Sequence, residues 1–260
     1  MVNKNKYYSI MLIILILLLN INQLLYAVTQ LTADEIIDKV KENQVQYTSS
    51  KVQAEMMLID KNNKTEEREM ILFAKEENDL ISILIRFLSP KTVEGVTLLS
   101  ADNGEKIYLY MPAYQKARRI AGSSKQENFM GTDFSYEDLS IDYQSEDYQK
   151  ELLEERETQF LIEVIPTEED LPYRKFMLYI NKEQFYVEKV EFYNLDGQLT
   201  KTLEIKEVKF DDQDKIVPIK IALTNIIDNH QTIINIKEIE YDLELPSDFF
   251  TIRTMQKPKL

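Results

Sequence analysis

The stretch "EGVTLLSADNGEKIYLYMP", Glu94 to Pro112, decides the fold. Two apolar runs flank Asn103–Gly104. Both turn residues tolerate positive φ, and the pair is a strong short-range signal for a β-hairpin. The segment before it, "DLISILIRFLSP", alternates. Ile81, Ile83, Ile85 and Phe87 fall on one side of a strand, and Ser82, Leu84 and Arg86 on the other.

The same pattern spreads in both directions. Upstream, "KVQAEMMLIDK" runs through the polar turn "KNNKTEE" into "REMILFAKEE". Downstream, "YVEKVEFYN" joins "QLTKTLEIKEVKF" through Asp196–Gly197. "RKFMLYI" turns at "NKEQ", and "KIVPIKIALTNII" and "QTIINIKEIEYDLEL" form two long strands. One segment breaks the rule. "LTADEIIDKVKENQVQY" has Ile36, Ile37 and Val40 on one helical face, with Thr32 and Glu35 placed for a capping box. The glycines at 95, 104, 122, 131 and 197 all fall at turns or loops, and none opens a phosphate-binding loop. The expectation is an α+β chain, mostly antiparallel β, with about ten strands in a meander, an N-terminal helix and a short helical piece near 134–140. No Pro/Gly/Ser-rich linker divides residues 28–260, which read as a single domain.

Composition narrows the function. The 260 residues carry a formal charge of −14, so a direct nucleic-acid partner is not expected. No cysteine is present, which removes disulfides, thiol nucleophiles, cysteine-ligated zinc and a lipidated N-terminal cysteine. Residues 1–27 have the layout of an export signal. A basic start, "MVNKNKYY", precedes the apolar core "IMLIILILLL" and a small residue, Ala27, at a plausible cleavage point. An uncleaved anchor is the rival reading. Ile10 to Val28 contains Asn20, Asn22 and Gln23, which makes a poor spanning helix. Cleavage after Ala27 would leave 29 basic and 45 acidic residues, a net charge of −16.

The segment "ENFMGTDFSYEDLS", Glu127 to Ser140, concentrates polar chemistry. Asp133, Glu137, Asp138 and Asp142 could bind a metal or act as an acid–base pair. Their spacing matches no calcium loop, and His230, the one histidine, sits in an expected turn and would need carboxylates alone as zinc co-ligands. The competing reading is structural: Gly131 supplies a turn, and Asp133 or Ser135 caps the short helix after it. In "YQKARRIAG", Arg118 and Arg119 either recognise an anionic headgroup or end a solvated strand. Arg86, inside an apolar strand, is either tied to a helix end or acid, or acts as a gate. The apolar strand faces of "MML", "MILF", "ISILIRF" and "IYLYM" are either a closed core or an adaptable lipid-binding basin.

Taken in order, "IRFLSP", the glycine hairpin before "IYLYMP", the Arg pair, "FMGTDFSYEDL" and the closing "LPSDFFTIR" resemble the LolA-like family of outer-membrane lipoprotein-sorting proteins. The resemblance covers roughly residues 31–255. It implies a half-open β-barrel of about ten or eleven strands whose mouth is partly covered by helices. It further implies a non-enzymatic periplasmic carrier, with no cofactor, whose apolar basin takes the acyl chains of a lipoprotein or another lipid. Ile81, Ile83, Ile85, Phe87, Leu98, Ile107, Leu109, Met111, Phe129 and Met130 are the basin candidates. Arg86, Arg118 and Arg119 are the gate or headgroup candidates, and Gly131, Asp133, Tyr136 and Asp138 mark the signature loop. An inner-membrane donor and an outer-membrane acceptor would be the partners of a monomer. The "MGTDFSYEDL" branch departs from the better-known carriers, which leaves the cargo open. A lipid-sensing regulatory module on the same fold is the alternative. The short tail after the barrel and the absence of an expected second domain weigh against it.

Overall fold

A computed structural model describes residues 31–78, 80–142, 145, 147–167 and 171–260. The export signal expected at residues 1–27 lies outside the described residues. The chain enters through helix α1, Ala33–Asn43. The Thr32 side chain accepts from the Glu35 N–H, and the Glu35 carboxylate accepts from the Thr32 N–H at 2.8 Å. This reciprocal box satisfies donors the first helical turn leaves open. Ala33, Ile36, Ile37 and Val40 form the buried face.

Among the described residues thirteen strands come after it: β1 (Ser49–Ile59), β2 (Thr65–Glu77), β3 (Leu80–Ser89), β4 (Thr97–Ala101), β5 (Lys106–Met111), β6 (Lys116–Ile120), β7 (Tyr148–Glu155), β8 (Gln159–Pro166), β9 (Tyr173–Asn181), β10 (Val187–Asn194), β11 (Leu199–Phe210), β12 (Ile216–Asn225) and β13 (His230–Tyr241). A short helix α2, Ile252–Met255, comes near the end. All strands join one antiparallel sheet in the order β6-β5-β4-β3-β2-β1-β13-β12-β11-β10-β9-β8-β7. Every neighbour is a chain neighbour except at β1 and β13, which pair the first strand with the last. The sheet does not close: β6 and β7 are its two edges. An unclosed, twisted sheet of this length is consistent with a half-open barrel.

The strand count exceeds the ten or eleven expected, and the additions are β6, β7 and β8. β6 reads "KARRI" and β7 reads "YQKELLEE"; neither shows apolar alternation. Both are edges, where charged side chains guard unpaired backbone against another chain. β8 is buried on both faces through Phe160, Leu161, Ile162 and Val164, so its alternation is hidden.

The two faces of the sheet are covered differently. On the inner face, α1 packs over Phe160, Ile162, Phe176, Leu178, Val190 and Phe192. A second inner cluster lies on β1 to β6 and includes Met56, Met70, Ile85, Phe87, Leu98, Ile107 and Leu109. On the outer face, Phe73, Leu84 and Leu99 are covered by Leu245, Phe249, Phe250 and Met255 from the C-terminal segment. Among the described residues no helix is long and apolar enough to cross a membrane.

Candidate functional site: the strap across the inner face

Because β6 and β7 are opposite edges yet consecutive strands, their connection must pass from one edge of the sheet to the other. Residues 121–147 make this crossing, and we call them the strap. Its described part is built from short 3₁₀ turns at Gly122–Gln126, Phe129–Gly131 and Asp138–Ser140. A tight loop pins the middle. The Phe129 N–H donates to the Phe134 carbonyl at 2.8 Å, and the Thr132 hydroxyl donates to the Phe129 carbonyl at 2.8 Å. Met130 and Gly131 both have left-handed backbone, with φ of 50° and 77°. A Cβ on Gly131 would meet nothing within 4 Å, so only the dihedral calls for glycine there.

Apolar strap residues fill the inner face of β1 to β6. Phe129, fully buried, stacks on Phe87 with centroids 5.4 Å apart, and Tyr136 leans on Phe129 at 5.8 Å. Met130 and Leu139 pack beside them. Burial pushes the Tyr136 phenol above its ordinary pKa, against the opposing charge of Arg118.

Polar contacts then tie the strap to strands far apart in the sheet. Arg68 on β2 donates from Nη1 to the Met130 carbonyl at 2.8 Å, pairs with Glu66, and lies 5.2 Å from the Phe87 ring centre. On β13, Thr232 donates its hydroxyl to Asp133 Oδ2 at 2.7 Å and accepts from the Asp133 N–H at 2.9 Å. His230 Nδ1 lies 2.8 Å from the same carboxylate oxygen. Asp138 takes Lys201 of β11 and the Tyr173 hydroxyl of β9, each at 2.7 Å. Its carboxylate also accepts from the Ser135 N–H, while the Ser135 hydroxyl accepts from the Asp138 N–H. Asp133 is 1% exposed and the Asp138 side chain 3%. Charges this deep need partners, and both have them. Among the described residues no buried side-chain polar atom lacks a partner, and no group of three or more acids and histidines is placed to hold a metal.

The basin candidates separate by position. Ile85, Phe87, Leu98, Ile107, Leu109 and Phe129 share the buried inner cluster, with Ile83, Met111 and Met130 partly buried beside it. Ile81 stands apart, 41% exposed. Arg86 lies on the outer face, away from Ile85 and Phe87. Its guanidinium donates to the carbonyls of Met255 (2.8 Å), Lys257 (3.0 Å) and Thr254 (3.4 Å) and to the Thr97 hydroxyl (2.8 Å). It therefore caps the carbonyl end of α2, not the strap, and burial holds its pKa below the ordinary guanidinium value. Arg118 and Arg119 are exposed on edge strand β6, and Arg118 lies 4.0 Å from Glu127. Arg68, Lys201, Tyr173 and Thr232 are not among the residues the sequence singles out, and His230 begins β13 where a turn is expected. For Arg68 and Lys201 a signal is present: each holds an inward register position with an apolar residue two places on, Met70 for one and Leu203 for the other.

A family model described as "-like: Uncharacterized protein" matches residues 81–257. No curated protein sequence matches the chain. Solved structures do. An outer membrane lipoprotein-sorting protein domain from Vibrio parahaemolyticus aligns with a TM-score of 0.79 at 27% identity, over 86% of this chain and 98% of its own. A DUF1329 family protein from Desulfovibrio piger gives 0.79 at 20% identity, over 86% and 97%. A LolA superfamily protein from Nitrosomonas europaea gives 0.69 at 18%, over 86% and 100%. The chain belongs to the LolA-like family of outer membrane lipoprotein-sorting proteins.

Proposed function

We propose that this protein is a non-enzymatic carrier that takes acyl chains of lipoproteins or other lipids onto its inner apolar face. The observation that carries the reading is the kind of cover this face has. It is not sealed by strand pairing but by a separate segment, the strap, which can be exchanged for a ligand without breaking the sheet. Phe87, Leu98, Ile107 and Leu109 would line the ligand side once Phe129 moves. Each methylene buried is worth about 0.8 kcal/mol, so ten give about 8 kcal/mol before ordering costs. That holds a chain in water and still permits release to a better acceptor.

The setting is the periplasm of a two-membrane bacterium, reached through an export signal at residues 1–27. Cargo would come to a monomer from an inner-membrane donor and leave for an outer-membrane acceptor. The test is native mass spectrometry of the protein expressed with its own N-terminal segment and purified gently from a periplasmic extract. A discrete added mass that dissociates as a lipid supports the carrier. A clean apo mass that also takes up no added long-chain amphiphile rejects it, and transfers the case to a sensing or interaction role.

A further inference from the structure

Three residues lie on one rung of the inner face. Lys201 of β11 pairs in register with Asn225 of β12, which pairs with His230 of β13. Adjacent strands lie about 4.8 Å apart, so Lys201 and His230 are about 10 Å apart along this rung. The next inward rung reads Leu203, Leu223 and Thr232, and the one after reads Ile205, Ile221 and Ile234. β1 continues these rungs with Leu58 and Met56. A polar rung therefore heads an apolar ladder, which is the pattern of an amphiphile: head at the top, chain below.

The polar rung is occupied by the strap's own acids. Lys201 is 9% exposed and its Nζ sits on Asp138, with the Tyr173 ring centre 5.9 Å away. His230 and Thr232 sit on Asp133. Asp228 holds the Asn225 amide at 2.8 Å, in the turn beyond the rung. The protein carries a formal charge of −14, so a cation this buried on its inner face runs against the surface as a whole. Two strap carboxylates on a lysine, a histidine and a threonine hydroxyl reproduce what a bound carboxylate or phosphate would present.

We infer that Lys201, His230 and Thr232 form an anion subsite at the head of the apolar ladder, that Asp133 and Asp138 fill it as internal surrogates when the strap is down, and that the cargo carries an anionic head. This rests on the carrier reading above and names its ligand class. Strap and cargo then compete for the same donors, and the apparent affinity is the intrinsic one reduced by the fraction of molecules with the strap displaced.

The test compares dissociation constants of the full chain for tetradecanoate, tetradecyl phosphate and the neutral 1-monotetradecanoylglycerol, with inorganic phosphate as the headless control. Wild type should prefer the two anionic chains over the neutral one by about tenfold, the lower end of the scale for a hydrogen bond to a charged group. Lys201→Gln should bring that ratio to about one. Asp138→Asn should tighten the anionic chains about tenfold by removing the competitor. The double variant Asp138→Asn/Lys201→Gln, which leaves a neutral pair in place of the ion pair, should fold and bind without preference, and it serves if Lys201→Gln alone folds poorly. Equal binding of neutral and anionic chains in wild type overturns the subsite and leaves the carrier standing. Inorganic phosphate binding as tightly as tetradecyl phosphate overturns the amphiphile assignment in favour of a free-anion site. Binding of none of the four overturns both readings.

Discussion

Phe129 on the strap and Phe87 on β3 stack with ring centroids 5.4 Å apart and planes 17° apart. Both are fully buried, and this contact seats the strap on the sheet. An ordinary buried Phe→Ala change costs about 3–5 kcal/mol through lost transfer energy and the cavity left behind. Phe129 differs because its segment is joined to the sheet by side chains and not by strand pairing. Phe129→Ala should therefore cost about 3 kcal/mol in urea unfolding and also expose the inner face before global unfolding. Increased binding of a hydrophobic dye under native conditions checks the second effect. Phe176→Ala, in the α1 cluster, should cost as much without that gain. If both variants behave alike, the strap is ordinary core.

Arg86 has a different job, and its loss should be felt at the other side of the sheet. It makes four hydrogen bonds, three of them to carbonyls at the end of α2. Arg86→Ala leaves those carbonyls and Thr97 without their donor in a buried place, at a cost of about 3 kcal/mol. Arg86→Lys should recover only part of this, because an ammonium cannot reproduce the planar fork. Hydrogen exchange should locate the loosening in residues 245–257, with protection of the strap unchanged. Loss of protection in the strap would show that Arg86 does act as a gate.

The sheet was legible because its strands announce themselves locally. Asn103–Gly104 and Asp196–Gly197 mark turns through backbone conformation alone, and the structure has hairpins at both. Thr32 and Glu35 declared the start of α1 for the same local reason. Edge strands β6 and β7 were not legible, since an edge needs charge more than alternation. The strap's role was also out of reach. "ENFMGTDFSYEDLS" has no period, and its acids look catalytic until their partners are known. Those partners, Lys201 63 residues on and Thr232 99 residues on, are set by the β1–β13 pairing and by strand register. Sequence could have flagged them only as polar residues at inward positions.

The α1 capping box gives a prediction in acid. The Thr32 N–H, then the Thr32 hydroxyl, hold the Glu35 carboxyl below its ordinary pKa. A carboxyl lowered on folding stabilises the native state above its unfolded pKa of about 4.3, and that contribution fades as pH falls through the lower folded value. Thr32→Ala should cost about 1 kcal/mol at neutral pH. Below about pH 4 the difference between the variant and wild type should narrow, as both lose the ionised partner. Urea midpoints measured at about pH 7 and about pH 3 decide it; a difference that stays constant across that range would assign the cost to the hydroxyl alone.

At the alkaline end the outer face of β9 and β10 carries the signal. Burial, and then the hydrogen bond and charge of Glu191, push the Tyr193 phenol up to about 12. The hydroxyl donates to Glu191 Oε2 at 3.0 Å, and Tyr179 donates to the same oxygen at 3.1 Å. Lys189 completes the cluster, with its Nζ 2.7 Å from Oε1 and 4.0 Å from the Tyr179 ring centre. A phenol can donate to a carboxylate only while protonated, so the native state favours neutral Tyr193. Its stabilisation is complete below the unfolded pKa of about 10 and is lost as pH rises from there through about 12. In a titration followed by tyrosinate absorbance, the wild-type minus Tyr193→Phe difference should show one group ionising near about 12. Glu191→Gln should lower that step only in part, because it removes the charge while burial, the largest cause, remains. A step unmoved by Glu191→Gln would mean that burial alone raises the phenol and that Glu191 is held by Lys189 and Tyr179 without it.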